Sequence, residues 1–254
     1  MERVNDILSR FSPISLSRIG DAKLMDRRDT KFVFREELLP GVLSNLSDHY
    51  WVLEINGLRA LQYETIYYDT PDFFHFHQHH SKHLNRYKVR IRRYLETNHA
   101  FLEVKHKNNH SRTVKKRIAL EDGQEFINER SAGFLETHAS LTCRSLEPKF
   151  SAHFFRITLV NKSVPERVTI DFGLHYSLNS NKYSYERLII AEVKRDLRIR
   201  SPFIRIMRNY KIRSFSISKY CLGVITVHNH VRHNNFKPKI RYINKFIYAT
   251  DTHP

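Results

Sequence analysis

Basic and apolar residues alternate in one stretch of this chain, RYKVRIRRYLETNHAFLEVKHK, which runs from Arg86 to Lys107. Side chains two residues apart share a face of a β-strand. One face of the first predicted strand therefore carries Lys88, Arg90 and Arg92, and the other carries Val89 and Ile91. After a turn at residues 96–99, Glu103, Lys105 and Lys107 share a face in the same way. The stretch predicts a β-hairpin with one charged and one apolar face.

Charged faces of this kind recur along the chain, and most of their side chains are basic. Close cations repel each other by ~1 kcal/mol per pair even in water, so such a surface predicts an anionic ligand. Arginine can donate two parallel hydrogen bonds to phosphate oxygens, and lysine supplies a mobile positive charge. We expect these residues to bind a chain of phosphates. The candidates outside the hairpin are Lys31, Lys115, Arg117, Arg167 and Lys194.

Carboxylates interleaved with these cations are candidate ligands for Mg²⁺ or Mn²⁺, which could bridge bound phosphates. Glu192 is the first choice, and Glu103 and Asp171 are weaker ones. The alternative for Glu192 is an ion pair with a neighbouring lysine of its own strand. The sequence contains no GxxxxGK[ST] motif, so a P-loop is excluded as the phosphate site.

Composition indicates a folded, strongly basic protein. The 254 residues include 43 Lys and Arg against 26 Asp and Glu, which gives a formal net charge of +17. A charge of this size favours a polyanionic partner. The sequence contains two cysteines, which indicates no disulfide framework and fits a reducing compartment. We find neither a signal peptide nor an apolar run long enough to span a membrane, and we expect a cytoplasmic protein.

The pattern of elements predicts an α+β protein with one domain over residues 1–254. At least six strands with opposed charged and apolar faces are separated by helical segments. A closed antiparallel β-barrel with a polar, cationic lumen and helices packed outside explains this pattern. Short helices are predicted in residues 1–25, at 36–46 and at 72–80, two helical segments at 121–141, and C-terminal helices in residues 201–254.

Two further groups of residues have a chemical interpretation. His75 and His79 have the i, i+4 spacing of a zinc site, but no accompanying glutamate, and a solvated helix face is favoured. Cys221 lies in a predicted helix and is expected to be a core residue; Cys143 has no paired-cysteine spacing. The basic and aromatic tract at residues 231–246 could contact nucleic acid, lipid or polyphosphate, and a charged helix face in solvent is favoured.

Six segments of the chain combine into one recognisable pattern. They are RRDTKFVF (27–34), YETIYYDTPD (63–72), NRYKVRIRRY (85–94), FLEVKHK (101–107), RVTIDFGL (167–174) and SKYCLGV (218–224). Together, and in this order, they resemble the VTC domain, the catalytic domain of vacuolar transporter chaperone polyphosphate polymerases and their bacterial relatives in the triphosphate tunnel metalloenzyme superfamily.

The resemblance implies an eight-stranded antiparallel tunnel that binds a nucleoside triphosphate and, with a divalent metal, transfers its terminal phosphoryl group to polyphosphate. It implies that Arg90 and Arg92 contact the phosphates and that Glu192 binds the metal. Matching cations of the family are Lys31, Lys105, Lys115, Arg167 and Lys219. Arg167 is expected to hold the equatorial phosphate oxygens together with Arg90 and Arg92, and Lys31, Lys105 and Lys115 are expected to hold the distal phosphates. The chain departs from the family at Ser216, which stands in place of the first lysine of a C-terminal pair. Export of a product would require a separate membrane protein.

Three functional classes remain open from the sequence. The first is a polyphosphate polymerase, and the second is a triphosphatase of the same fold that transfers the phosphoryl group to water. The third is a non-catalytic module that binds a polyanion such as polyphosphate or nucleic acid. Nucleic acid is disfavoured because the cations alternate along strands, rather than following one helix or flanking exposed aromatic residues.

Overall fold

The structure is a computed structural model that describes residues 2–20, 28–110, 112–121, 127–139, 146–196 and 198–247. The strands are β1 (Pro13–Ile14), β2 (Arg28–Arg35), β3 (Tyr50–Leu53), β4 (Leu61–Asp69), β5 (Arg86–Tyr94), β6 (His99–Lys107), β7 (Thr113–Ala119), β8 (Glu147–Asn161), β9 (Glu166–Leu178), β10 (Asn181–Tyr185) and β11 (Leu188–Arg195). The helices are α1 (Glu2–Ser9), α2 (Leu16–Gly20), α3 (Leu39–Ser44), α4 (Phe74–His80), α5 (Glu129–Ala139), α6 (Pro202–Asn209), α7 (Lys219–Val227) and α8 (Lys237–Ile247).

The strands form one sheet of 11 strands, with the main order β2-β11-β9-β8-β4-β5-β6-β7. All pairs on this path are antiparallel. β10 pairs with β9, β3 pairs with β8, and β1 pairs with β3. The prediction of an antiparallel sheet with helices is confirmed. The prediction of a closed eight-stranded barrel is wrong, because β2 and β7 form the two ends of the path and no backbone ladder joins them among the described residues.

The outer face of the sheet is covered by helices at two places. Phe32 and Phe34 of β2 and Ile170 of β9 pack in a core with α1, α3 and α6. On the other half of the sheet, Val89 of β5 and Val104 of β6 pack beside Leu135 of α5. Burial of these apolar faces fixes which side of every strand points away from the opposite, charged face.

The inner face is covered in part by α7, which corrects the prediction that all helices pack outside. Tyr220, Leu222 and Val224 of α7 lie in a core with inner-face residues of the sheet, among them Phe150 and Tyr176. Gly223 makes this close packing possible, because a Cβ atom there would overlap the Phe150 ring. Ser218 caps the start of the helix, and its side chain accepts a hydrogen bond from the Cys221 amide.

The segment between α6 and α7 ties distant strands together. The Phe215 amide donates a hydrogen bond to the Lys31 carbonyl at 2.7 Å, on the edge of β2 opposite β11, where Ser214 also forms a β-bridge with Phe32. The Lys31 ammonium donates to the Ile217 carbonyl at 3.0 Å, and the Lys88 ammonium of β5 donates to the Ser218 hydroxyl at 2.7 Å. Because β2 and β5 are far apart in the strand order, the sheet must curl for both lysines to reach this segment.

Several local predictions differ from the structure. The described part of residues 121–141 holds one helix, α5, that continues through Gly133, rather than two segments. The charged face of Lys194 and Glu192 lies on β11, which a turn separates from β10. His75 is 2% exposed, so its face of α4 is buried and not solvated. Cys221 is buried as predicted, and Cys143 lies outside the described residues.

Candidate functional site

The inner face of the curled sheet gathers the charged residues of successive strands into neighbouring positions. Paired residues of antiparallel strands share a face, and the pairing runs Lys88 with Lys105, then Lys105 with Lys115. Arg90 pairs with Glu103, and Glu103 pairs with Arg117. On the other half of the sheet, the rows are Lys31–Glu192–Thr169 and Asp29–Lys194–Arg167.

Glu103 is the centre of the first charge cluster, and its side chain is 1% exposed. Its carboxylate accepts hydrogen bonds from the Arg90 guanidinium at 2.8 Å and from the Lys115 ammonium, and the Arg92 Nε lies 3.9 Å away. Burial alone would raise the pKa of Glu103, but the charges of Arg90, Arg92 and Lys115 hold it well below its usual range. Glu103 therefore orients Arg90 through a charge-assisted hydrogen bond, and its contact with Arg92 is electrostatic only.

Asp171 forms a second cluster on β9. Arg156 of β8 donates two hydrogen bonds to its carboxylate, at 2.5 and 2.8 Å, and the Lys219 ammonium at the start of α7 donates a third. Burial opposes ionisation of Asp171, but the charges of Arg156 and Lys219 lower its pKa to about 2. Arg156 also lies over the rings of Tyr63 and Phe154, at 5.0 and 5.3 Å.

Glu192 forms a third cluster with two lysines. The Lys31 ammonium lies 3.4 Å from its carboxylate, and the Lys194 ammonium donates a hydrogen bond to it. Lys194 also pairs with Asp29 at 2.7 Å. The Glu192 side chain is 21% exposed, against 5% for Asp171. Burial opposes ionisation of Glu192, but the charges of Lys31 and Lys194 hold its pKa well below the usual range.

Two lysines of the inner face have no carboxylate partner among the described residues. Lys88 donates only to Ser218, and its ammonium lies 5.8 Å from the centre of the Tyr220 ring. Lys105 retains solvent access and has no hydrogen bond within the described ranges. Desolvation, together with the charges of neighbouring cations, lowers the pKa of each ammonium to about 8. An anion bound at the inner face would therefore pair with the Lys88 and Lys105 ammonium groups without displacing a carboxylate.

Arg92 is the most deeply buried of the predicted phosphate-binding arginines. The residue is 7% exposed, and its Nε has no hydrogen-bond partner within the described part of the chain. Burial, followed by the charge of Arg90, lowers the pKa of its guanidinium. An unsatisfied buried donor costs about 1–3 kcal/mol. A ligand oxygen that accepts a hydrogen bond from the Arg92 Nε would therefore be stabilised at this position.

Two predicted residues lie apart from these clusters. Arg117 is exposed on β7, with its guanidinium 4.6 Å from the centre of the Phe101 ring. Arg167 lies at the other end of the inner face, where it is half-buried at the start of β9. The structure thus places six of the predicted cations beside three carboxylates, leaves Lys88 and Lys105 without an acidic partner among the described residues, and places Arg117 and Arg167 at the margins.

Two basic residues of this region were not among the predicted site residues. Arg156 alternates with Ile157 and shares the face of Thr158, so the same period-two signal could have found it. Lys239 of α8 donates a hydrogen bond to the Ser216 carbonyl at 2.7 Å, which places an ammonium group beside Ser216. Its tract was predicted to be a solvated helix face, and no local pattern indicated this contact.

The three candidate metal carboxylates do not converge. Glu103 is paired with three cations, and Asp171 and Glu192 are each paired with two. No group of three or more His, Cys, Asp or Glu side chains suited to a metal exists within the described residues. His75 and His79 of the histidine run therefore belong to no such group among the described residues. The His79 Nε2 lies 3.1 Å from the Tyr87 carbonyl. Any metal ion bound here would therefore have a single carboxylate ligand from these three residues, and oxygen atoms of a bound phosphate ligand would have to complete its coordination.

Fold and site together define an antiparallel sheet that curls around a cationic inner face. A profile of the VTC domain matches residues 26–228. The chain belongs to the VTC domain family, which confirms the resemblance carried by its basic strand motifs. No curated protein matches the chain.

Solved structures with the same fold are distant in sequence. A candidate adenylate cyclase from Bacillus halodurans is 14% identical with a TM-score of 0.50, and the match covers 77% of this chain and 96% of that one. A candidate adenylyl cyclase from Hippeastrum, described as having a dominant triphosphatase activity, is 11% identical with a TM-score of 0.52; 83% and 99% of the chains are covered. None of the described helices is both long and apolar enough to cross a membrane.

Proposed function

We propose that this protein is a polyphosphate polymerase. It transfers the terminal phosphoryl group of a nucleoside triphosphate to a growing polyphosphate chain, and ATP is the nucleotide to test first. The observation that supports the proposal most is the excess of cations over carboxylates on the inner face. Lys88 and Lys105 have no acidic partner among the described residues, and the Arg92 Nε is buried without an acceptor. A chain of phosphates would supply the missing negative charge.

The reaction joins an oxygen of the terminal phosphate of the polyphosphate acceptor to the γ-phosphorus. The bond between the γ-phosphorus and the β–γ bridging oxygen breaks, and its electron pair leaves with the nucleoside diphosphate. Phosphoryl transfer requires alignment and charge stabilisation more than covalent work by the protein. Arg90, which is oriented by Glu103, and Arg92 would hold the oxygens of the transferred group. Lys31, Lys105 and Lys115 would hold the distal phosphates, and Arg167 would contact the nucleotide side.

Glu192 is the carboxylate best suited to Mg²⁺ or Mn²⁺. It is the most accessible of the three candidates, and its partners are lysines, which can turn from the carboxylate to a phosphate. Mg²⁺ is commonly bound by one or two carboxylates together with substrate phosphates. Such an ion would neutralise negative charge on the phosphate oxygens when bound.

A triphosphatase is the second candidate, in which water replaces the polyphosphate acceptor. Two observations favour it. Ser216 stands where the resemblance to the family implies a lysine. A cation that would bind the polyphosphate acceptor is therefore missing, unless Lys239 takes the place of that lysine. The structural relative from Hippeastrum is described as having a dominant triphosphatase activity.

Product analysis separates the candidates. The purified protein is incubated with ATP and Mn²⁺, and acid-insoluble polyphosphate and free phosphate are both measured. Polyphosphate supports the polymerase, and free phosphate alone supports the triphosphatase. Binding of tripolyphosphate without either product would identify a non-catalytic module. In that case, a steep salt dependence of affinity for long nucleic acids would identify nucleic acid as the partner.

The role of Glu192 has a separate test. The substitution Glu192→Gln should abolish metal-dependent turnover and leave tripolyphosphate binding without metal at least as tight, because a negative charge is lost from the inner face. The matched control is Glu37→Gln, since Glu37 pairs with Arg187 on the surface and its side chain is 52% exposed. Retained turnover in Glu192→Gln would exclude this carboxylate as the metal ligand.

A further inference from the structure

A cavity lies at the margin of the inner face, where β3 pairs with the end of β8. Its volume is about 310 Å³, which is within the range of small-molecule sites. Trp51 pairs with Val160, and Val160 pairs with Arg167. Because paired residues share a face, these three lining residues lie on the same side of the sheet as the phosphate-binding candidates. We refer to this space as the Trp51 cavity.

The walls of the Trp51 cavity suit a flat aromatic group better than a phosphate. Ile14, Ile19 and Val160 are buried apolar residues that line it. The half-buried indole of Trp51 forms another wall, and the Arg18 guanidinium lies 5.7 Å from the centre of its ring. Arg18 is exposed and can move to admit a ring against the indole. Aromatic and arginine side chains bind nucleobases by stacking in this way.

The Trp51 cavity is continuous with the charged part of the inner face through Arg167. Arg167 lines the cavity and pairs across β9 and β11 with Lys194. Lys194 is two residues from Glu192 along β11, which is about 7 Å at the rise of a strand. A ligand with an aromatic ring in the cavity and an anionic chain attached to it would direct that chain past Arg167 towards Lys194, Glu192 and Lys31.

We propose that the Trp51 cavity binds the nucleobase of the nucleoside triphosphate. This inference rests on the proposed function and adds the direction of binding. The base enters at the Arg167 end of the inner face, and the terminal phosphate points towards Arg90 and Arg92. Trp51 and Arg18 would distinguish a nucleoside triphosphate from inorganic tripolyphosphate, because the latter has the charge but no ring to place in the cavity.

The sequence contains one tryptophan and 13 tyrosines, so emission excited selectively at the tryptophan reports on this cavity. The emission is titrated with an ATP analogue whose β- and γ-phosphates are joined by nitrogen, which prevents turnover, and separately with tripolyphosphate. We expect the analogue to quench the emission to saturation and tripolyphosphate to leave it unchanged. Excess tripolyphosphate should reverse the quenching, since both ligands compete for the phosphate-binding cations.

Calorimetry with the same two ligands separates failure of this inference from failure of the proposed function. Binding of both ligands with no change of Trp51 emission would place the base elsewhere and overturn the inference alone. Absence of binding by either ligand would overturn the proposed function, and the inference with it.

Substitutions give an independent test. Trp51→Ala should weaken binding of the analogue at least about tenfold, as expected for one lost base-stacking contact, and leave tripolyphosphate binding within about twofold. Trp51→Phe should restore the analogue's affinity, and Leu95→Ala, at an exposed turn residue, should change neither. Equal losses for both ligands in a variant with unchanged thermal unfolding would overturn the inference. If Trp51→Ala does not fold, the wild-type titration and Trp51→Phe decide the question.

Discussion

The substitution Glu103→Gln is the sharpest test of how the inner face is stabilised before any ligand binds. It keeps the shape of the side chain and removes its charge. The positive charges of Arg90, Arg92 and Lys115 then lie close together without the carboxylate that forms ion pairs with them in the wild type. Loss of one member of a buried ion pair costs about 3–5 kcal/mol, because the remaining charge stays buried without a partner.

The lower end of that range applies here. The Glu103 side chain is 1% exposed, whereas the side chains of Arg90 and Lys115 are 22% and 40% exposed. Water therefore solvates part of the positive charge that is left unpaired. We expect a decrease of about 3 kcal/mol in the free energy of unfolding at pH 7. For a chain of this length, that corresponds to a decrease of roughly 6–12 °C in Tm.

The pH dependence of this difference follows from the lowered pKa of Glu103. The carboxylate binds fewer protons in the folded state than in the unfolded state, so its stabilisation is complete above the unfolded pKa of about 4.3. It is lost progressively as the pH falls below that value towards the folded pKa. The difference between wild type and Glu103→Gln should therefore be constant from pH 6 to 7.5 and shrink below about pH 4.3.

Urea unfolding followed by circular dichroism measures this difference, with Glu37→Gln as the surface control, for which at most about 1 kcal/mol is expected. Tripolyphosphate should stabilise Glu103→Gln more than wild type, since it supplies negative charge to the same cations. A loss below about 1 kcal/mol, equal to that of the control, would refute the claim that Glu103 holds the cluster together.

Three further predictions concern turnover, pH and packing. Arg92→Ala should reduce nucleotide turnover by about 10³-fold with the fold intact, whereas Arg93→Ala, on the opposite face beside Glu64, should change it little; equal activity of the two variants would remove Arg92 from the site. Affinity for tripolyphosphate, measured by calorimetry, should fall as the pH rises above about 8. Desolvation lowers the pKa of four inner-face ammonium groups to about 8, and above that pH they lose the positive charge that binds phosphate. A flat affinity profile from pH 7 to 9.5 would contradict this. These groups are Lys88, Lys105, Lys115 and Lys219. Gly223→Ala should destabilise the protein by about 1–3 kcal/mol through overpacking against Phe150, seen as a lower Tm; an unchanged Tm would show that α7 is not packed closely on the inner face.

Strand alternation made much of the inner face predictable. In the 86–107 stretch, each apolar residue that must be buried fixes its neighbours to the opposite face, so Lys88, Arg90 and Arg92 had to point together. The same reasoning would have found Arg156, which follows the alternation of β8. It could not find Lys239, because that residue reaches Ser216 through the packing of a separate helix.

Closure of the sheet and the position of α7 were not accessible in this way. The apolar residues of α7 predict a buried helix, but an apolar helix can pack on either face of a sheet. Only the structure shows that Tyr220 and Leu222 pack beside Phe150 and Tyr176 on the inner side. The cationic surface is therefore limited to the part of the inner face that α7 leaves uncovered.

The sequence by itself determined which side chains share a face, since the period of two is a local property of the strand backbone. It thereby determined that a row of cations would line one side of a sheet. The tertiary structure decided which carboxylate neutralises which cation. It paired Lys219 with Asp171 and Glu192 with Lys31 and Lys194, and left Lys88 and Lys105 without an acidic partner among the described residues. These pairings depend on strand order, register and the curl of the sheet, which arise from contacts between residues far apart in the chain.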